Sequence, residues 1–254
     1  MLTDILIIGG CVLAALVFLL AVTRASAAHA RKESNDFTGA VVAVIGTTYA
    51  VILAFMLANV WNIAQQAAAN EEQEANALVN VWRIAGELQL PSANDIQALC
   101  LNYADSAINK EWPAMARGVP LPPETGEMIN QLWHLAGQIQ LHSSTNSIAE
   151  YQLMEELRLL TEFRRLRIMQ SREGLPGILW TVLIAGGIIT VAASCFFGGP
   201  NFRVHILQVV VLTFLLSLVL VAIADIDKPY QGPVRVEPEG FMFALKTFRS
   251  HGNQ

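Results

Sequence analysis

Two histidines eight positions apart, His134 and His142, fall on one helical face and are the first residues that could ligate a metal. A zinc site draws three or four ligands together. No third ligand stands near these two, so a pair of exposed or interfacial histidines is the better reading. Glu71, Glu72 and Glu74 could serve a di-iron or zinc centre only beside a Glu-x-x-His element, which the chain lacks; they read as a solvated acidic face. Asp225 and Asp227, with Glu237 and Glu239 following, offer hard oxygen ligands for calcium without EF-hand spacing. There is no G-x-S-x-G, no P-loop, no G-x-G-x-x-G and no paired-cysteine motif. Neither an enzyme nor a bound metal or cofactor is expected. Cys11, Cys100 and Cys195 make no disulfide framework and read as small buried apolar residues.

A different chemistry is written on residues 41–63. Thr48, Ile52, Phe55, Asn59 and Asn62 recur at spacings of four and three, so they share one helical stripe, polar at its ends and apolar in its middle. A conduit with wet mouths and a dry waist has this profile, because an apolar constriction gates by dewetting. An ordinary buried helix with two interfacial asparagines fits the same residues, and on them alone fits somewhat better. A second stripe, Ala43, Thr47, Ala50, Ala54 and Ala58, is small throughout and lets helices approach closely.

These residues must be carried by helices that cross lipid. Ile5–Val22, Val41–Ile63, Leu175–Phe197 and Val204–Ala224 contain no Asp, Glu, Lys or Arg over 18, 23, 23 and 21 residues. About 20 apolar residues span the hydrocarbon, and only helices or closed barrels satisfy their backbone there. The 254 residues are 54% hydrophobic and 15% charged, which is too apolar for an average soluble domain. A net charge of −5 argues against a nucleic-acid binder. The first run competes with a signal peptide, given Ala25-Ser26-Ala27, and with a lipoprotein start at Gly9-Gly10-Cys11. Asp4 and the lack of Lys or Arg before the run argue against both. The spans hold no ionisable group except His205 at one end, against a proton pump or voltage sensor.

The expected division is 1–63 for two spans, 64–174 for a helical soluble region, 175–224 for two more spans and 225–254 for a C-terminal tail. Arg158, Arg164, Arg165, Arg167, Arg172, Lys228 and Arg235 lie on the side of the soluble region, against Arg24, Arg31, Lys32 and Arg203 opposite. The positive-inside rule then puts that region and both termini in the cytoplasm of a cell with an inner membrane. The five arginines from Arg158 to Arg172 can set topology and touch anionic headgroups, pair with Glu71, Glu72 and Glu74, or draw anions to a vestibule.

Within the soluble region a helix continues from the second span to Pro91, with Leu78, Trp82 and Ala85 on its buried stripe. A second starts at a capping box, Ser92 with Asp95, carries Ile96, Leu99, Tyr103 and Ala107 inward, and ends before Trp112-Pro113. A third covers 124–142 with Met128, Leu132, Leu135 and Ile139 on one face, and Ser143–Asn146 breaks it. A fourth covers 147–173 with Leu153, Leu157 and Leu160. No strand pattern appears. The fold class is all-α, an integral membrane protein of four transmembrane helices with a helical region between the second and third.

Several of these segments together resemble the bacterial bestrophin-like family, which is named for its similarity to bestrophin anion channels. They are Val60-Trp61-Asn62, then Glu74-Ala75-Asn76-Ala77-Leu78, Tyr103 with Glu111-Trp112-Pro113, and Arg164-Arg165-x-Arg167. The most specific is Ile226-Asp227-Lys228-Pro229-Tyr230-Gln231-Gly232-Pro233, followed by Val236-Glu237-Pro238. The resemblance marks Asp227, Pro229, Tyr230 and Gly232 as signature positions. It implies a homo-oligomer, favoured as a pentameric ring, with second spans lining a pore for small chloride-like anions. Thr48, Ile52, Phe55 and Asn59 would be the pore face. Bestrophins carry Asn-Pro-Phe-Gly and then a dense acidic calcium-binding run; here Lys228-Pro229-Tyr230-Gln231-Gly232 is followed only by Glu237 and Glu239. Their phenylalanine-rich constriction is represented mainly by Phe55. The competing expectation is a non-transporting, membrane-anchored scaffold or sensor that binds a protein through residues 64–174.

Overall fold

A computed structural model of the chain describes residues 2–25, 35–87, 93–142, 147–197 and 201–251. Every regular element among them is helical. The structure divides into two units: residues 1–62 with 175–227, and residues 63–174 with 228–254.

The first unit contains α1 (Leu2–Ala25), the first part of α2 (Asn35–Glu87), α7 (Gly177–Cys195) and α8 (Phe202–Ile226). All four helices are long and apolar enough to cross a membrane. Most of their apolar side chains remain exposed on the isolated chain, Leu6, Ile188 and Leu207 among them, as a lipid-facing surface requires. Where they do pack, the contacts are small and specific. Leu19 and Ala15 of α1 meet Cys195 and Val209, and Tyr49, Leu53 and Val60 of α2 meet Leu183 and Ile223. His205 is buried with its Nε2 3.1 Å from the Ser194 carbonyl oxygen.

Tyr49 explains the paired glycines of α7. Its hydroxyl donates to the Leu183 carbonyl at 2.6 Å, which lays the ring against Gly186 and Gly187. A Cβ at Gly186 would stand 2.6 Å from two ring carbons of Tyr49. Gly186→Ala is therefore expected to destabilise the protein by about 1–3 kcal/mol, the usual penalty of overpacking. Thermal unfolding in detergent measures it, and an unchanged midpoint would mean that the ring yields freely.

The second unit is a helical bundle. Its elements are the remainder of α2, α3 (Ala93–Ser106), a π turn (Ala107–Glu111), α4 (Trp112–Arg117), α5 (Glu124–His142), α6 (Ser147–Gln170) and α9 (Glu239–His251). Helix α2 has no proline anywhere in its 53 residues. Helices α5 and α6 match the expected segments, α6 ending three residues early. Leu78, Ala85, Ile96, Tyr103, Leu132, Ile139, Leu153, Leu157 and Leu160 all enter one core. Pro91, Ser92 and the break at 143–146 lie outside the described residues.

Two expectations are corrected here. The second insert helix does not end before Trp112-Pro113. It widens through the π turn and runs on to Arg117, where Gly118 at φ 65° closes it. Pro113 stands in the first turn of α4, directly after the π turn. Nor is 225–254 merely a tail. Phe241, Ala244, Leu245 and Phe248 of α9 follow an i, i+3, i+4, i+7 spacing and are buried in the core that contains Leu78 and Tyr103.

Candidate functional site

On α2 the buried residues of the membrane half, Tyr49, Leu53 and Val60, form one line. At 100° per residue the line of Thr48, Phe55, Asn59 and Asn62 is turned from it by roughly 130°. All four are exposed on the isolated chain, Phe55 at 68%. Ile52 departs from them: it is half-buried and packs against the Tyr49–Leu53 cluster. The second line, Ala43, Thr47, Ala50, Ala54 and Ala58, is also exposed, with the Thr47 hydroxyl returned to the Ala43 carbonyl at 2.7 Å. Two faces of the helix thus take no part in packing this chain. One is small, and the other runs from Thr48 through Phe55 to a pair of amides.

The acidic turn at 71–74 and the arginines of α6 form a separate constellation in the helical bundle. Glu74 is fully buried and Glu71 is 4% exposed, whereas Glu72 faces out. This corrects the solvated acidic face expected from sequence. Arg167 is also fully buried, which removes it from the candidates for headgroup or anion contact. Its Nε and Nη2 donate to the two Glu74 carboxylate oxygens at 2.6 and 2.9 Å, and Nη2 donates to Glu111 at 2.7 Å. Arg164 donates to the other Glu111 oxygen at 2.5 Å, and the Tyr103 hydroxyl donates to Glu74 at 2.5 Å. The Arg167 guanidinium also stands over the Trp112 ring at 4.7 Å. Burial is tolerable because each charge meets an opposite one and further donors satisfy the oxygens. Burial and the neighbouring Glu74 carboxylate push the Tyr103 hydroxyl above its ordinary range. The remaining arginines differ. Arg158 pairs at the surface with Glu155 and Glu162 on its own helix, while Arg165 and Arg172 are exposed.

The π turn explains why Glu111 reaches this cluster. One extra residue per turn reorients the side chains that follow, and such bulges recur where a residue must be re-aimed. The signature segment after α8 is built from hydrogen bonds. In the first unit the Asp227 carboxylate accepts the Leu175 N–H at 2.6 Å and the Trp180 indole N–H at 3.4 Å, tying the end of α8 to the start of α7. In the second, the Pro229 carbonyl accepts the Val236 N–H at 2.7 Å, and Gly232 takes φ 80°. Tyr230 is buried and its hydroxyl donates to the Ala67 carbonyl at 3.3 Å.

His134 is exposed, and the side chain of His142 lies outside the described residues. Among the described residues no group of three or more His, Cys, Asp or Glu is placed to hold a metal ion. Asp227 is committed to α7, and Glu237 pairs with Arg235 at 2.8 Å.

A family model described as the Bestrophin-like domain matches residues 9–241. Among solved structures, the chain resembles a crystal structure of a bacterial bestrophin homologue from Klebsiella pneumoniae phased on zinc. Identity is 12%, 98% of each chain is covered and the TM-score is 0.71. A variant of the same Klebsiella pneumoniae homologue gives 12% identity, 99% of this chain, 100% of that chain and a TM-score of 0.75. At such identities the likeness establishes the fold. No curated protein matches the sequence.

Proposed function

Because the chain belongs to the bestrophin-like family, we propose that it is a passive ion channel of the membrane, formed when copies of α2 surround a common axis. The observation that carries this reading is the exposed line of Thr48, Phe55, Asn59 and Asn62, left unused by the chain's own packing. Set around an axis, it gives polar mouths and a dry waist at Phe55. Ions then pass when the waist is wetted. The small line from Ala43 to Ala58 supplies the close helix contacts that a ring needs.

Small inorganic anions are the proposed cargo. Residues 41–63 of α2 hold no carboxylate, and the amides of Asn59 and Asn62 can donate hydrogen bonds to an anion. A pentamer is the proposed ring, in a bacterial inner membrane with both termini in the cytoplasm. Exposed Arg165 and Arg172 are proposed to meet headgroups or the anion-concentrating mouth. The second reading, a scaffold that binds a protein through residues 64–174, has one feature in its favour. A cavity of about 610 Å³ lies on the bundle surface between Asp95, Leu99, Asn102, Gln131 and His134.

Purified protein in a planar bilayer under a chloride gradient tests the first reading, together with subunit stoichiometry in detergent. Current that reverses near the chloride potential and a closed ring with an axial opening are expected. A silent monomer or two-fold dimer supports the scaffold.

A further inference from the structure

Glu71 stands three residues from Glu74 and has a different set of partners. It is 4% exposed, and its Oε1 accepts the Phe241 N–H at 3.1 Å. Phe241 lies in the first turn of α9, where backbone N–H groups have no partner within their own helix. A carboxyl on α2 therefore caps α9. The seat is close: a Cβ at Gly240 would meet the Glu71 oxygens at 3.0 and 3.1 Å and the Ala75 Cβ at 2.9 Å.

The surroundings of this carboxyl are acidic. Glu72 from its own helix, Glu237 before α9 and Glu239 at its first position line one cavity of about 620 Å³ with it. Glu74 from its own helix adds to the repulsion, and Tyr230 is close enough to feel its charge. The cation that faces it, Arg167, is held by Glu74 and Glu111.

We infer that α9 docks on α2 through a proton-dependent latch: Glu71 holds a proton while the helix is seated and loses it as the helix lifts. Burial pushes the Glu71 carboxyl up to about 7, with repulsion from Glu74 adding and the N–H groups of Phe241 and Gly240 and the charge of Arg167 opposing. The seated pKa lies above the released value. Docking is therefore strongest at low pH and weakens as pH rises from the released value toward 7, where the penalty becomes complete. This inference does not depend on conduction.

Hydrogen exchange on the intact protein in detergent tests it, with rates corrected for the intrinsic pH dependence of exchange. From pH 6 to pH 8 the opening of residues 241–248 is expected to rise roughly tenfold, while α5 stays constant. Glu71→Gln should abolish that rise. Gly240→Ala should leave α9 open at both pH values. The latch is overturned if wild-type α9 opens equally at both pH values, or if Glu71→Gln keeps the wild-type slope. Should the glutamine variant not fold, the wild-type comparison alone decides.

Discussion

Arg167→Leu should lower the unfolding midpoint by on the order of 10 °C, through a loss of about 3–5 kcal/mol. The substitution keeps apolar bulk beneath Trp112 but strands the fully buried Glu74 without its cation and leaves Glu111 to Arg164 alone. An uncompensated buried charge costs far more than the pair contributes. With a total stability of ~5–15 kcal/mol for an ordinary domain, so large a loss leaves little margin. Adding Glu74→Gln to Arg167→Leu should recover part of the midpoint, because Glu111 keeps Arg164 and the buried Glu74 charge is gone. Arg158→Ala is the control: its pairs with Glu155 and Glu162 lie in water, and the midpoint should not move. Equal shifts for Arg167→Leu and Arg158→Ala would show that the buried network does not hold the bundle.

Phe55→Ala should raise chloride current about tenfold, the change that ~1.4 kcal/mol off a barrier produces. The ring is 68% exposed on the chain, so its removal costs little internal packing and acts on whatever faces it. A smaller residue at a dry constriction lets water persist, and ions follow water. Leu53→Ala, two residues away on the buried line, should instead lower the unfolding midpoint and leave the current unchanged. Single-channel recording of both variants separates the faces. If Leu53→Ala changes the current and Phe55→Ala does not, the conducting face has been assigned to the wrong side of α2.

Much of this structure is legible in the sequence because long-range and local rules agree. Charge-free runs mark the four long apolar helices, and the 3.6-residue period finds α5 and α6. Two kinds of feature escape. The first is a charge in an apolar line. Glu71, Glu74, Leu78 and Ala85 follow one helical line, as do Leu153, Leu157, Leu160, Arg164 and Arg167. Spacing alone places the ionic residues inward, whereas their residue types argued for solvent. Only the partner on another helix decides between the two, and a single sequence does not pair helices. The second is α9. Its spacing of Phe241, Ala244, Leu245 and Phe248 is readable, but a short amphipathic segment gains its stability from the core that receives it. The exposed line on α2 is the converse case: periodicity groups Thr48, Phe55, Asn59 and Asn62, and only the packing of Tyr49, Leu53 and Val60 tells which way they point.

The wide turn at Ala107–Glu111 makes chain length itself a structural variable. Closing it to ordinary α geometry with every residue kept would swing everything after it by up to about 100° about the helix axis. Glu111 would leave its arginines, and Trp112 would leave Arg167 and the Val236 carbonyl to which its indole N–H donates. Homologous chains that keep this ionic cluster should therefore either keep the wide turn or lack one residue at this bend together with it, so that residue count and turn geometry change as a pair.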